Sequence, residues 1–178
     1  TESARNNLLK EGVSPEAVFV TGNTVIDALL MTLEKIRSEK LEENIISELV
    51  ASFPSLAKVF PVGDSYSTPE RLILVTGHRR ENFGNGFENI CQALKQIAEK
   101  YPDTQIVYPV HLNPQVQEPV RRILSECDRI HLIAPLDYLP FVYLMHRSYL
   151  IITDSGGVQE EAPSLGKPVL VMREATER

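Results

Sequence analysis

Residues 71–111 read RLILVTGHRRENFGNGFENICQALKQIAEKYPDTQIVYPVH, and this stretch decides the fold. Leu72-Ile73-Leu74-Val75 is a wholly apolar run closed by Thr76-Gly77, the pattern of a short strand buried on both faces. Phe87, Ile90, Cys91, Leu94, Ile97, Ala98 and Tyr101 then recur at spacings of three and four, which is one face of an amphipathic helix, and Pro102-Asp103 ends it. Gln105 to Val110 is a second apolar run. Strand, helix and strand in immediate succession make a βαβ unit, whose two strands are parallel and whose crossover is right-handed.

The alternation continues toward the C-terminus. Asn113-Pro114, an N-cap followed by proline at the first helical position, opens a helix marked by Val116, Val120, Ile123 and Leu124. Ile130 to Ile133 reads as a third strand, Asp137 to His146 as a short helix and Tyr149 to Ile152 as a fourth strand. Val158 to Leu165 is a helix stopped by Gly166, and Pro168 to Met172 a fifth strand. The expected fold is α/β, a doubly wound parallel sheet of Rossmann-like type.

Toward the N-terminus the pattern changes. Val18-Phe19-Val20 reads as a single strand, and Val25, Ile26, Leu29, Leu30, Leu33 and Ile36 as a helical stripe. A charged helix is expected from Glu42 to Ala51, and Ser52 to Glu70, with three prolines and no periodicity, as a surface loop or connector. A lone strand cannot close a sheet. Residues 1–22 are therefore expected to be the tail of a preceding domain, and 23–70 linking helices and connector. Residues 71–178 are expected to be the sheet domain, cut short at its C-terminal end.

Composition narrows the partners. Hydrophobic residues make up 43% of the 178, ordinary for a packed core, and no apolar run approaches the roughly 18 to 20 residues of a membrane span. The opening TESARNNLLKEG is not a secretory signal. A net charge of −6 argues against a nucleic-acid surface, although a few local donors suffice for a small phosphorylated ligand. Cys91 and Cys127 have no CxxC spacing and fall in predicted helices, which points to reduced thiols and a cytoplasmic location rather than a metal site or disulfide. No metal and no cofactor are expected.

Ligands of open α/β sheets bind beyond the carboxyl ends of the strands. Two polar clusters lie there. Thr153-Asp154-Ser155-Gly156-Gly157-Val158-Gln159-Glu160-Glu161 opens a helix whose first N–H groups are unpaired, and its glycines let an anion approach the backbone. A diphosphate suits that positive end, and Glu161, about one and a half turns on, could accept two ribose hydroxyls. The plainer reading is that Asp154 or Ser155 merely caps the helix. Thr76-Gly77-His78-Arg79-Arg80-Glu81-Asn82 is less ordinary, because a cap does not need this run of charged and titratable residues. His78 at a strand tip could donate to phosphate or move a proton, and Arg79 and Arg80 could hold phosphate or pair with carboxylates. The alternative is a solvated loop whose arginines and glutamate neutralise one another. His111 also follows a strand; His131 and His146 read as structural, Met145 and Met172 as core, and Glu42, Glu43 and the run from Lys35 to Lys40 as a solvated face.

These clusters carry a resemblance. Val20-Thr21-Gly22-Asn23-Thr24-Val25-Ile26-Asp27, Val75 to Gly84, Pro109-Val110-His111-Leu112-Asn113-Pro114, Thr153 to Pro163 and Arg173-Glu174-Ala175-Thr176-Glu177-Arg178 together resemble the bacterial non-hydrolysing UDP-N-acetylglucosamine 2-epimerases. The resemblance implies the C-terminal half of a two-domain GT-B-like fold, with the nucleotide in the interdomain cleft. It implies interconversion of UDP-N-acetylglucosamine and UDP-N-acetylmannosamine by elimination and re-addition of UDP. His78 then looks like the histidine at the diphosphate, and Ser155, Gly156 and Gly157 like diphosphate binders. Glu161 looks like the ribose ligand, Arg178 like the arginine at the nucleotide and Phe141 like the residue where uracil is held. Arg79 and His111 look like contacts of a second, activating UDP-N-acetylglucosamine. It further implies a nucleotide-sugar partner, acid/base carboxylates on an N-terminal domain and a homodimer at full length, and so a chain inactive alone. A GT-B glycosyltransferase, a hydrolysing relative and a non-catalytic UDP-sugar-binding module are the competing readings. The paired HRREN and PVHLNP runs argue against the transferase.

Overall fold

The computed structural model describes residues 1–61 and 71–175. Strands β1 (Arg71–Thr76), β2 (Thr104–Pro109), β3 (Ile130–Ile133), β4 (Leu150–Thr153) and β5 (Val169–Val171) form one sheet in the order β3-β2-β1-β4-β5. Every neighbouring pair is parallel. Helices α1 (Glu2–Lys10), α2 (Thr24–Ser38), α3 (Glu42–Ser52), α4 (Asn85–Lys100), α5 (Pro114–Leu124), α6 (Tyr138–Arg147) and α7 (Gly156–Ser164) complete the chain. The five strands expected from residue 71 onward are all present, with ends differing by no more than a residue.

Two-residue periodicity sends alternate strand side chains to opposite faces. Ile73 and Val75 of β1, with Ile106, Tyr108 and Ile152, pack under α4 and α5, which contribute Phe87, Cys91, Leu94, Val116, Val120 and Leu124. Leu72 and Leu74, with Val107, Ile133 and Ile151, pack under α2, α3, α6 and α7. The chain winds outward from β1 to β3 on the first face. It then crosses back through α6 to β4, on the other side of β1. The strand order therefore reverses between β1 and β4, and the carboxyl ends at such a reversal are where ligands of open α/β sheets bind.

Three expectations need correction. Val18-Phe19-Val20 is not a strand: no strand lies beside it among the described residues, and Phe19 is 80% exposed. Ser52 onward is not merely a surface loop. Pro54–Lys58 is a 3₁₀ turn, and Leu56, Val59 and Phe60 are buried in the core beneath α2 and α3; apolar residues in so short a turn show no period. The rest of that stretch, 62–70, lies outside the described residues. Cys127 lies beyond the end of α5, in the turn before β3, whereas Cys91 is buried within α4. Helix α1 went unread because it buries none of its residues; the Thr1 hydroxyl caps it, accepting from the Ala4 N–H at 3.2 Å. No described helix is long and apolar enough to cross a membrane.

His131 is a buried histidine on β3, its Nε2 2.8 Å from the Gln105 amide oxygen, and burial pushes its pKa down from 6.5 to about 4. Below pH 6.5 the unfolded chain takes up a proton there that the folded chain refuses, so stability falls until the pH reaches about 4. The whole window is worth on the order of 3 kcal/mol. His131→Gln is expected to flatten this part of the urea-denaturation profile. An unchanged slope between those pH values would show that the imidazole is not held neutral.

Candidate functional site

The site is built around one carboxylate. Thr76 and Thr153 end β1 and β4 in register, their hydroxyls 2.6 Å apart, so both polar clusters leave the sheet side by side. Asp154 follows at once and is fully buried. Its carboxylate accepts from the His78 backbone N–H at 3.1 and 2.9 Å, the Arg79 N–H at 2.8 Å and the Asn82 side-chain amide at 3.2 Å. A buried charge requires such donors, since an unpaired one costs several kcal/mol. Asp154 therefore does not cap α7. It clamps the loop after β1 onto the helix after β4.

Gly77 belongs to the clamp. A Cβ there would stand 3.0 Å from the Tyr108 hydroxyl and 3.3 Å from the Met172 methyl. The Tyr108 hydroxyl donates to the Gly77 carbonyl at 3.3 Å. Asn82 also donates to the Met172 carbonyl at 3.1 Å, which ties the segment after β5 into the same knot. Gly77→Val is expected to destabilise the chain by about 1 to 3 kcal/mol, because overpacking forces neighbours off their rotamers. Thermal unfolding measures this, and an unchanged midpoint would show that the close approach is not a constraint.

Beyond the clamp lies a cleft of about 420 Å³ lined by His78, Arg79, Arg80, Glu81, His111 and Asn113. The His78 and His111 rings stack, 5.5 Å between centroids and 23° from coplanar. His111 Nδ1 accepts from the Asn113 N–H at 3.1 Å, so in neutral His111 the proton sits on Nε2. The His78 side chain is 41% exposed, and its Nδ1 is 3.5 Å from Asp154 Oδ1. Glu81 pairs with Arg173 at 2.7 Å rather than with its arginine neighbours. Among the described residues Arg79 and Arg80 form no ion pair, and Arg79 Nε is buried without a hydrogen-bond partner. The self-neutralised loop is thus not what forms; cationic groups remain directed at the cleft.

The second patch is the start of α7. Ser155 is its N-cap but makes no side-chain cap, and its own N–H donates to the Thr153 hydroxyl at 2.9 Å. The first-turn amides of an α-helix lack intrahelical acceptors and carry partial positive charge. The buried Glu161 carboxylate folds back along the helix, its Oε2 3.8 Å from where a Gly157 Cβ would stand and the Ser155 hydroxyl 4.0 Å from the same point. Its other oxygen accepts from the Tyr138 hydroxyl at 3.1 Å. Burial first, then the charge and hydrogen bond of Glu161, push Tyr138 up to about 12, so it stays a donor at neutral pH. Phe141, one helical turn beyond Tyr138 on α6, is half-buried against the core.

Of the residues singled out from sequence, His78, Arg79 and His111 meet in one cleft, and Ser155, Gly156, Gly157 and Glu161 form the adjoining helix start. Arg178 lies outside the described residues. The clamp role of Asp154 and the parts played by Asn82, Tyr108 and Tyr138 were not read. A buried Asp at a strand end beside a capping Ser looks like an ordinary cap, and the pairing joins residues more than seventy positions apart.

The family model described as UDP-N-acetylglucosamine 2-epimerase matches residues 1–178. A probable UDP-N-acetylglucosamine 2-epimerase of Ralstonia nicotianae is 57% identical over 178 residues, all of this chain and 44% of that protein. The crystal structure of the Neisseria meningitidis UDP-GlcNAc 2-epimerase bound to UDP-GlcNAc is 48% identical. It superposes with a TM-score of 0.81 over all of this chain and 44% of that one. The Methanocaldococcus jannaschii enzyme, in complex with UDP-GlcNAc and UDP, is 32% identical with a TM-score of 0.69, over 45% of its chain. The chain thus spans less than half the length of the relatives it matches, and its five-stranded parallel sheet has the GT-B arrangement of their structures. On that match the chain belongs to the UDP-N-acetylglucosamine 2-epimerase family.

Proposed function

We propose that the chain supplies the UDP-binding half of an enzyme interconverting UDP-N-acetylglucosamine and UDP-N-acetylmannosamine. One observation carries this reading: Asp154, immediately before α7, holds the His78 loop by its backbone, so an imidazole and the first amides of a helix lie side by side beyond the carboxyl ends of β1 and β4. A diphosphate has the charge and the acceptors that such a pair suits. The amides of Gly156 and Gly157 with the Ser155 hydroxyl hold the diphosphate, and Glu161 Oε2 accepts the ribose hydroxyls while Tyr138 occupies Oε1. Phe141 is assigned to the uracil, Arg178 to the nucleotide, and Arg79 and His111 to a second nucleotide sugar beside the first.

The reaction is elimination followed by addition. The C2 proton is removed and the C1–O bond to UDP breaks, leaving 2-acetamidoglucal and UDP. UDP then re-forms the C1–O bond as a proton returns to the opposite face of C2. His78 donates to the departing diphosphate, which lowers its basicity as the bond breaks. The proton transfers at C2 belong to carboxylates on the remainder of the longer protein. Exposed Phe19, Leu30 and Met31, 80%, 47% and 72% accessible, are the surface assigned to that remainder, with residues 1–22 as the end of its domain. A homodimeric, cytoplasmic full-length enzyme completes the reading.

The chain itself is expected to bind UDP more tightly than free N-acetylglucosamine, because the helix start recognises diphosphate. Titration calorimetry on the chain, with circular dichroism to confirm that it is folded, decides this. Equal affinities, or no binding of either, would remove the site.

A further inference from the structure

The groups that hold His78 in place are more specific than binding a diphosphate requires. Its ring is fixed on one face by His111, 5.5 Å between centroids, and on one edge by Asp154, with Nδ1 3.5 Å from Oδ1. Its backbone N–H is fixed by the same carboxylate at 2.9 Å. Three donors hold Asp154, two backbone amides and the Asn82 amide, and the imidazole Nδ1 stands 3.5 Å away, longer than a formed hydrogen bond. None of the three donors changes protonation state, so the carboxylate stays anchored whatever the imidazole does. Ligand-free sites often show such contacts long, closing only when substrate arrives.

We propose that Asp154 is the positioning residue for His78, holding the imidazole with Nδ1–H toward Oδ1 and leaving Nε2 for the cleft. The proposal deepens the reading of His78 as the group at the diphosphate. A neutral imidazole has one protonated and one bare nitrogen, and a fixed hydrogen bond at one decides the identity of the other. With Nδ1–H committed to the carboxylate, Nε2 faces the crevice: the imidazolium gives its Nε2 proton to the departing diphosphate, and the bare Nε2 of the neutral ring takes it back when UDP re-adds. Asp154 is the carboxylate that approaches Nδ1, whereas Glu81, which also lines that cleft, is paired with Arg173. Asp154→Asn is informative because one carboxamide oxygen can still accept from the Arg79 and Asn82 donors. Its NH₂ then lies toward Nδ1, and the imidazole accepts there, moving its own proton to Nε2.

Two measurements test this. The first is long-range ¹H–¹⁵N NMR of the neutral histidine rings in the ligand-free chain, with the His78 signals assigned through His78→Gln. The expected tautomer is Nδ1–H, shifting toward Nε2–H in Asp154→Asn. An Nε2–H tautomer in the unaltered chain overturns the proposal, even if the variant does not fold. The second is kinetic, in the full-length enzyme. Asp154→Asn is expected to lower kcat within the ~10² to 10⁴-fold range of a lost acid–base group, with KM little changed. In a His78→Ala background the same substitution is expected to cost almost nothing further, since a residue acting through His78 has nothing left to position. Equal losses in both backgrounds would make Asp154 a purely structural clamp. The tautomer is read without ligand, so its failure is distinguishable from a failure of UDP to bind.

Discussion

His78→Ala in the full-length enzyme is expected to lower turnover by ~10² to 10⁴-fold, the usual contribution of one positioned proton-transfer group. The effect should be chemical rather than structural. The side chain is 41% exposed and packs mainly on the His111 ring. The contacts that hold the loop, the His78 and Arg79 N–H groups on Asp154 and the Asn82 amide, do not use the imidazole, and alanine keeps them. Thermal unfolding of the variant should therefore lie close to that of the parent, and UDP affinity should fall far less than kcat. A variant that turns over normally would place the leaving-group chemistry elsewhere. One that loses activity and fold together would make His78 structural.

The second large effect is on binding. Glu161→Ala is expected to weaken UDP by about 1.5 to 3 kcal/mol, the worth of a hydrogen bond to a charged group. That is roughly a 10- to 150-fold rise in Kd. For 2′,3′-dideoxy-UDP, which lacks the hydroxyls Glu161 is proposed to hold, the same substitution should matter much less. The carboxylate is buried and one of its oxygens is already taken by Tyr138, so a single oxygen remains for the ribose. Removing it strands little, because Tyr138 is 42% exposed and water can replace its lost acceptor. Equal losses for both nucleotides would assign Glu161 to the fold or the diphosphate.

Much of the architecture was legible because buried parallel strands are apolar without interruption. Leu72 to Val75 leaves little alternative, Ile130 to Ile133 is broken only by His131, and the helix face from Phe87 to Ala98 repeats cleanly. The order of the strands was not legible, because β4 pairs with β1 across more than seventy residues and nothing local encodes that neighbour. Val18 to Val20 misled because three apolar residues satisfy a strand pattern whether or not a partner strand exists. Leu56, Val59 and Phe60 escaped for the opposite reason, being core residues in and just after a turn too short to show a period. At the site the residues that line the cleft and open α7 were visible as dense polar runs after strands. The clamp was not, because Asp154 acquires its role only from amides that the fold brings to it.

The crevice between β1 and β4 can be tested directly by titrating UDP into the ¹⁵N-labelled 178-residue chain and following the backbone amides. The expected result is saturable shifts concentrated at Gly77 to Asn82 and at Ser155 to Glu161, with little change at the opposite ends of the strands. Saturable binding whose shifts fall on other surfaces, or no binding by a chain whose spectrum shows it folded, would contradict the assignment of this half to UDP.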